Sequence, residues 1–432
     1  MRIVLISYHY PPARAVGGLR AAKDAEALRA AGHEIHVIAA QVPEAHSPRT
    51  TTPSGIVVER VHCWPSPRQL WVRWRTRGAR AQTHQTVSST PGPARPPREP
   101  PTWKRWIFSL LWLPDDLQGF IIPAARAARR AFPGGPDLVV TSAPPFSVHL
   151  AAMLVATQGV RWIAEFRDPW TDNPGKPAAQ RSALSERIER WLEARTLNCA
   201  ERVVAASDGI SRVLRPKLPT ERQDRVLVVR NGIDWLAPPA PPVAAGPRPR
   251  RIVHAGVFYL GRDPRLFLRA LAEVVRQDRL GPADLVVELV GQCRSFGEVS
   301  VEAEVRALGL DSVVRFTDWL PHERTQDLLR TADALLLLAQ GQPDQVPNKL
   351  YEYLGTRRPI LAFVDAGGET ARMLQEAGGH AVVASSDLTD AVDAVRAVLG
   401  RKAGWVSVPD PLVLGRWTTP VQMRRLVEAV GV

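Results

Sequence analysis

The sequence predicts an α/β protein built as two similar halves, each a parallel sheet flanked by helices. Three observations predict it. Short apolar runs alternate with amphipathic runs, the pattern of strands joined by crossover helices. The alternation stops once, at a proline-rich stretch, and then restarts. The 432 residues are too many for one ordinary core and suit two domains.

In the first half, strands are expected at Ile3–Ser7, Glu34–Ala39, Ile56–Val61, Asp137–Thr141, Arg161–Glu165, Arg202–Ala206 and Arg225–Val229. Leu19–Ala31 is the clearest helix, with its apolar residues on one face and Gly32 as its stop, and Ser185–Cys199 is a second. Proline then crowds the stretch from Leu236 to Arg250. It removes backbone donors and stiffens the chain, so 237–250 reads as a linker between a first domain, 1–236, and a second, 251–412. The second half has strands at Arg251–Ala255, Asp284–Val290, Val313–Thr317, Ala334–Ala339 and Pro359–Val364. Between them fall helices at Pro264–Gln277, Val299–Ala307, Glu323–Ala332 and Lys349–Gly355.

No apolar run approaches the length that crosses a bilayer. The opening Met1–Ser7 is too short for a signal peptide and lacks a cleavage site, so it reads as a buried strand. Cys63, Cys199 and Cys293 are far apart and odd in number, with no metal-ligand spacing, which suits a reducing cytosol. No His/Asp/Cys grouping and no DxD is present, so neither an essential metal nor a cofactor is expected.

The net charge is +13 and unevenly placed. From Trp64 to Arg130, twelve Lys or Arg face three acids. Such a patch attracts lipid headgroups, nucleic acid or a polyanionic substrate, although a plain solvated basic surface has the same composition. This insertion, about 64–130, contains a Pro/Ser/Thr/Arg-rich loop from about 75 to 102. Trp103–Leu113 mixes indoles, cations and aliphatics, as a membrane-interface segment does; a core or interdomain helix is the competing reading.

Four places carry candidate chemistry. Gly17 and Gly18 open a helix, where backbone N–H groups and the helix dipole favour an anion; the motif is not GxGxxG, and a plain turn competes. Asp344 precedes a second helix start, at Asn348 and Lys349, and Glu352 follows it. Carboxylates so placed accept hydrogen bonds from a sugar or ribose diol while the exposed amides face a diphosphate; simple helix-dipole complementation by Glu352 competes. Arg262 lies just before the first helix of the second half and is the candidate cation for a leaving diphosphate. Finally, Glu165, Arg167 and Asp168 end a strand at its carboxyl edge, the edge that faces the ligand crevice in open α/β sheets. Asp168 or Glu165 would orient an acceptor hydroxyl there, and an Asp turn-cap before Pro169 is the bland alternative. His9 and His254 are expected at strand ends facing the crevice, His149 as a packed residue and His322 as a helix cap.

The Asp344-x7-Glu352 spacing resembles the E-x7-E motif of the retaining glycosyltransferases of family 4, which have the GT-B fold. Asn231-Gly232-Ile233-Asp234, Val253–Val257 and Phe316–Pro321 resemble further family segments in the same order, over nearly the whole chain. The resemblance implies two Rossmann-like domains facing each other across a cleft. It implies a nucleotide-diphosphate sugar as donor, with Glu352 on the ribose and Asp344 on the donor sugar. Asp344 is shorter than the family's Glu. Arg262 falls at the family's Lys position, and Val257 falls at its Arg position. The second cation is therefore missing or supplied by Arg265 or Lys349. Many members carry a His where this chain has the E-x-R-D-x-W pattern of Glu165–Trp170. Residues 413–432 would form the closing helix that returns to the first domain. The acceptor would be a sugar, a lipid-linked glycan or a small molecule, reached in the cytoplasm or at the inner face of an anionic membrane. A GT-B sugar-nucleotide epimerase and a non-enzymatic nucleic-acid-binding protein are the competing functions. The first would not need the basic insertion, and the second would not need Asp344, Glu352 and Arg262 together, so no nucleic acid is expected.

Overall fold

The structure is a computed structural model that describes residues 1–13, 15–45, 47–71, 109–156, 159–173, 176, 181–238, 248–259, 261–402 and 409–431. The loop expected at 75–102, Trp103–Phe108 and most of the linker lie outside the described residues. The chain divides into two compact units. The first comprises Met1–Ala205, Arg212–Leu227 and Val427–Val432; the second comprises Ala206–Ser211 and Val228–Leu426.

The first unit holds β1 (Arg2–Ile6), α1 (Val16–Ala30), β2 (Glu34–Ala40), β3 (Arg49–Thr51), β4 (Val57–Val61), α2 (Ile121–Arg130), β5 (Leu138–Ala143), α3 (Ser147–Val155), β6 (Arg161–Phe166), α4 (Ala183–Cys199), β7 (Arg202–Ala205), α5 (Asp208–Leu214) and β8 (Val226–Val228). Helix α5 begins in residues grouped with the second unit. The sheet order is β3-β4-β2-β1-β5-β6-β7-β8. The central strands run parallel, and the unforeseen β3 pairs antiparallel with β4. Val4, Leu5 and Ile6 of β1 are buried completely, as a strand covered on both faces requires. The segment read as an insertion contributes α2, whose alanines are buried, so its second half belongs to the fold. The Ala/Arg alternation of α2 disguised it as part of a basic loop.

The second unit has β9 (Arg250–Val257), α6 (Arg265–Gln277), β10 (Leu285–Gln292), the small hairpin β11 (Ser295–Phe296) and β12 (Val299–Ser300), α7 (Val301–Ala307), β13 (Val314–Thr317) and α8 (His322–Thr331). It continues through β14 (Ala334–Ala339), α9 (Asn348–Gly355), β15 (Ile360–Val364), α10 (Glu369–Ala377), β16 (Ala381–Val383), α11 (Leu388–Val398), α12 (Pro411–Arg416) and α13 (Thr419–Gly431). The six strands are parallel, in the order β13-β10-β9-β14-β15-β16. Successive leucines of β14 enter opposite cores. Leu336 and Leu338 join one with Phe267 and Val395, while Leu335 and Leu337 join the other with Tyr353 and Leu374. An unbroken Leu-Leu-Leu-Leu run is what a strand with helices on both faces needs.

The Asn231–Asp234 segment straps the C-terminal helix. The Ile233 amide donates to Trp417 O at 2.8 Å, the Thr419 amide donates to Ile233 O at 2.9 Å, and Thr419 Oγ1 donates to Asp234 Oδ1 at 2.7 Å. Gly232 sits at φ +73°, and a Cβ there would come within 2.7 Å of Thr419 Cα. Gly232→Ala is therefore expected to cost about 1–3 kcal/mol, through positive φ and the clash together. Thermal denaturation checks it; an unchanged Tm would show the strap to be slack.

Candidate functional site

The carboxyl edge of the second unit's sheet carries two loops that pack against each other. One follows β9 and the other follows β14. A Cβ on Gly261 would sit 2.3 Å from Gln340 O, and Gln340 Nε2 donates to Asp263 O at 3.2 Å. The β14–α9 loop is pinned along its length. Asp365 accepts from the amides of Gly341 and Gln342 at 2.8 Å each, the Glu369 amide donates to Pro343 O at 2.7 Å, and Thr370 Oγ1 donates to Gln345 O at 3.2 Å. Ser207 Oγ donates to Asp344 O at 2.6 Å. Asp344 thus rides on a stapled loop, with its side chain half-buried.

Helix α9 starts at Asn348, with Pro347 before it and no side-chain cap. The Leu350 amide donates to Pro347 O at 2.9 Å, and no side chain caps the first turn. Lys349 turns back toward β9. Its ammonium lies where a Cβ on Gly256 would be, 1.5 Å from that position, so only glycine, at φ +150°, leaves it room. Burial first, and then Arg262, lower the Lys349 pKa to about 8 against the pull of Glu352. Arg262 lies with its guanidinium 4.4 Å from the Tyr259 ring centroid, and its buried Nε has no hydrogen-bond partner among the described residues. Arg265, the other candidate for a second cation, is tied to Asp263 at 2.6 Å on the surface. Lys349 is therefore the cation that joins Arg262. Glu352 accepts from Asn348 Nδ2 at 3.2 Å. The expected donor residues Arg262, Asn348, Lys349 and Glu352 come together.

Sequence reasoning missed the lining of this site. His254 is a correction: it lies inside β9, buried, with Nδ1 2.9 Å from Leu336 O. Burial first, and then Lys349 and Arg262, lower its pKa to about 3, so it is neutral. Cys293 is buried beside the Gly256 carbonyl, 3.4 Å away, and burial raises its pKa to about 12. Tyr353 accepts from the Ala255 amide at 3.1 Å. The Gly after Ala255 was the available signal, because a glycine ending a buried strand marks a close approach.

In the first unit, Gly17 and Gly18 begin α1 after Ala15, and a Cβ on Gly17 would lie 1.8 Å from Arg167 Nη1. The first turn of α1 and the β6 edge loop thus meet. Arg167 also donates to Pro144 O. Asp168 is half-buried, and burial raises its pKa against the pull of Arg167. His9 is half-buried, and burial and then Arg167 lower its pKa. Glu165 is a correction. It does not face an acceptor but is 1% exposed, paired with Arg20 at 2.7 Å and accepting from Ser142 Oγ. Asp24 shares Arg20 at 3.1 Å. Burial raises the Asp24 pKa, with Arg20 opposing and Glu165 adding to the rise. His149 is packed as expected, with Nδ1 2.8 Å from Thr141 Oγ1. His322 opens α8 but caps nothing, since Pro321 is the N-cap and no side chain caps the helix.

Among the described residues no group of His, Cys, Asp or Glu is placed to hold a metal ion. No described helix is long and apolar enough to cross a membrane.

Residues 75–235 match the family model described as Glycosyltransferase Family 4. Solved structures share the fold over the whole chain. Sucrose-phosphate synthase from Thermosynechococcus elongatus has a TM-score of 0.59 at 16% identity, covering 99% of this chain and 94% of its own. HepE of Anabaena, solved in complex with UDP, has a TM-score of 0.63 at 13% identity, covering 100% and 99%. The α,α-trehalose 6-phosphate synthase from Burkholderia multivorans has 0.62 at 10%, covering 99% and 95%. No curated protein sequence matches the chain.

Two outcomes are expected. A diphosphate bound in the second-unit site would favour the Lys349 proton, so pyrophosphate affinity should fall as pH rises through about 8, by up to about tenfold per pH unit. Titration calorimetry at pH 7 and 9 measures it, and Lys349→Met should flatten the profile; a steep profile in that variant would put the titrating group elsewhere. In the first unit, Arg20→Met strands a buried carboxylate. It should cost about 3–5 kcal/mol, a Tm loss on the order of 10 °C. Asp24→Asn should cost far less at pH 7, because the native Asp24 already favours its proton. Equal losses in calorimetry would refute that assignment.

Proposed function

We propose that the chain, whose residues 75–235 match the Glycosyltransferase Family 4 model and whose fold is that of solved glycosyltransferases, moves a sugar from a nucleotide-diphosphate donor to an acceptor hydroxyl. The observation that carries this reading is the pair Arg262 and Lys349 with Glu352 beside it. Two cations, one on the loop after β9 and one at the start of α9, supply what a departing diphosphate requires, compensation for its growing negative charge. Glu352, oriented by Asn348, is suited to a ribose diol. Asp344, on its pinned loop, takes the donor sugar.

The donor is proposed to be a UDP-sugar. HepE was solved with UDP-glucose, and the fold is shared. The Arg167–Asp168 loop receives the acceptor. Asp168, inclined by burial toward its protonated form, serves there as a positioning group rather than a strong base. The transfer proceeds with retention, the departing phosphate taking the acceptor proton, and no metal is needed because the two cations meet the diphosphate. The acceptor belongs to polysaccharide or lipid-linked glycan synthesis, which agrees with the basic character of the chain.

A thermal-shift series with UDP and UDP-sugars tests the donor site. At about a hundred times its Kd, a ligand adds roughly 2.7 kcal/mol of stability. Glu352→Ala should remove most of the shift, and Arg262→Ala should weaken binding by about 10–100-fold, as loss of a charge-assisted contact does. Full retention of the shift in both variants would end the assignment.

A further inference from the structure

Helix α4 (Ala183–Cys199) is inverted with respect to charge. Two of its three acids turn inward, and the third, Glu186, is half-buried. Glu189 is 3% exposed and paired with Lys176, and Glu193 is 1% exposed and paired with Lys217 at 2.7 Å. Ser185 and Thr196 lie on the same buried face. The outward face holds what a soluble helix usually hides. Trp191 is 59% exposed and Leu184 is 39% exposed, with Arg187, Arg190 and Arg195 exposed beside them. At 100° per residue, Leu184, Ile188, Trp191 and Arg195 fall within about 60° of arc, so they form one stripe about 17 Å long. The Arg195 guanidinium lies 5.9 Å from the Trp191 ring centroid.

We propose that this face of α4 docks on an anionic lipid surface. Three exposed arginines against one half-buried acid, Glu186, leave this side of the helix with a net positive charge, complementary to negative headgroups. An exposed indole flanked by aliphatic and cationic side chains is suited to headgroup depth. The internal pairing explains the arrangement: Lys176 and Lys217 hold Glu189 and Glu193 away from the surface, so Glu186 and Asp172 are the acids that the outward arginines meet. A single-stranded nucleic acid would also use cations and an indole, but the aliphatic Leu184 and Ile188 in the same stripe favour a lipid surface. The chain's net charge of +13 adds attraction at longer range. The proposal stands apart from the donor site and does not rest on it.

Vesicle co-sedimentation tests it. The wild-type protein should bind vesicles of phosphatidylcholine with phosphatidylglycerol, ignore pure phosphatidylcholine, and be released by salt. Trp191→Ala and the Arg187→Glu/Arg195→Glu double variant should each weaken binding at least tenfold while keeping the UDP thermal shift. Glu352→Ala should bind vesicles like the wild type. A fold-independent reading comes from Cys199, which is exposed at the end of the same stripe. A polarity-sensitive dye there, with Cys63→Ser as background, should shift to the blue on anionic vesicles. The idea is overturned by no wild-type binding, by equal binding to neutral vesicles, by variants that bind unchanged, or by an unshifted dye. It is equally overturned if the stripe instead binds RNA in preference to vesicles, or if it holds two copies of the chain together.

Discussion

The second unit is organised around two cations held close to each other. Burying a cation is costly unless something pairs with it. Here Arg262 and Lys349 lie within each other's field with one carboxylate, Glu352, acting on Lys349. The depression of the Lys349 pKa reflects that cost. It is sustained by rigid surroundings. Gly256 makes room for the ammonium, and the β9 and β14 loops brace each other through Gly261 and Gln340. Asp365 and Ser207 staple the loop that carries Asp344.

The first unit handles buried charge in the opposite way. Arg20 lies between Glu165 and Asp24, and burial disposes one of the two acids to keep its proton. Arg167 stands against Gly17 with Asp168 next to it. Charges there are matched locally, so the edge loop is fixed in shape without a strong field. Such an environment suits a neutral, hydroxyl-bearing ligand better than an anionic one. The same matching recurs under α4, where inward acids meet lysines.

Much of the fold was legible because parallel strands covered on both faces read as continuous apolar runs. Leu335–Leu338 and Ile3–Ile6 are examples: β14 has the expected bounds, and β1 lies one residue earlier than expected. What escaped were elements whose packing residues are small or few. Helix α2 buries alanines, β3 is three exposed residues at a sheet edge, and α10, β16 and α11 carry no chemistry that marks them. The donor residues could be named from spacing around one helix start, since local sequence fixes what lies on the first turn. Lys349 as partner of Arg262 could not be fixed, because 87 residues separate them and only the sheet order brings β9 beside β14. Glu165 was misplaced for a related reason. A carboxylate at the end of a strand reads the same whether it points to solvent or to an arginine one helix away. The strand's alternation decides it. Ile163 and Glu165 lie two apart, on one side of β6, and both are buried, while Arg167 and Asp168 continue past the last paired residue into the loop. For a strand of this kind, chemistry belongs to the residues after the ladder ends, and a charged residue still within it is part of the core.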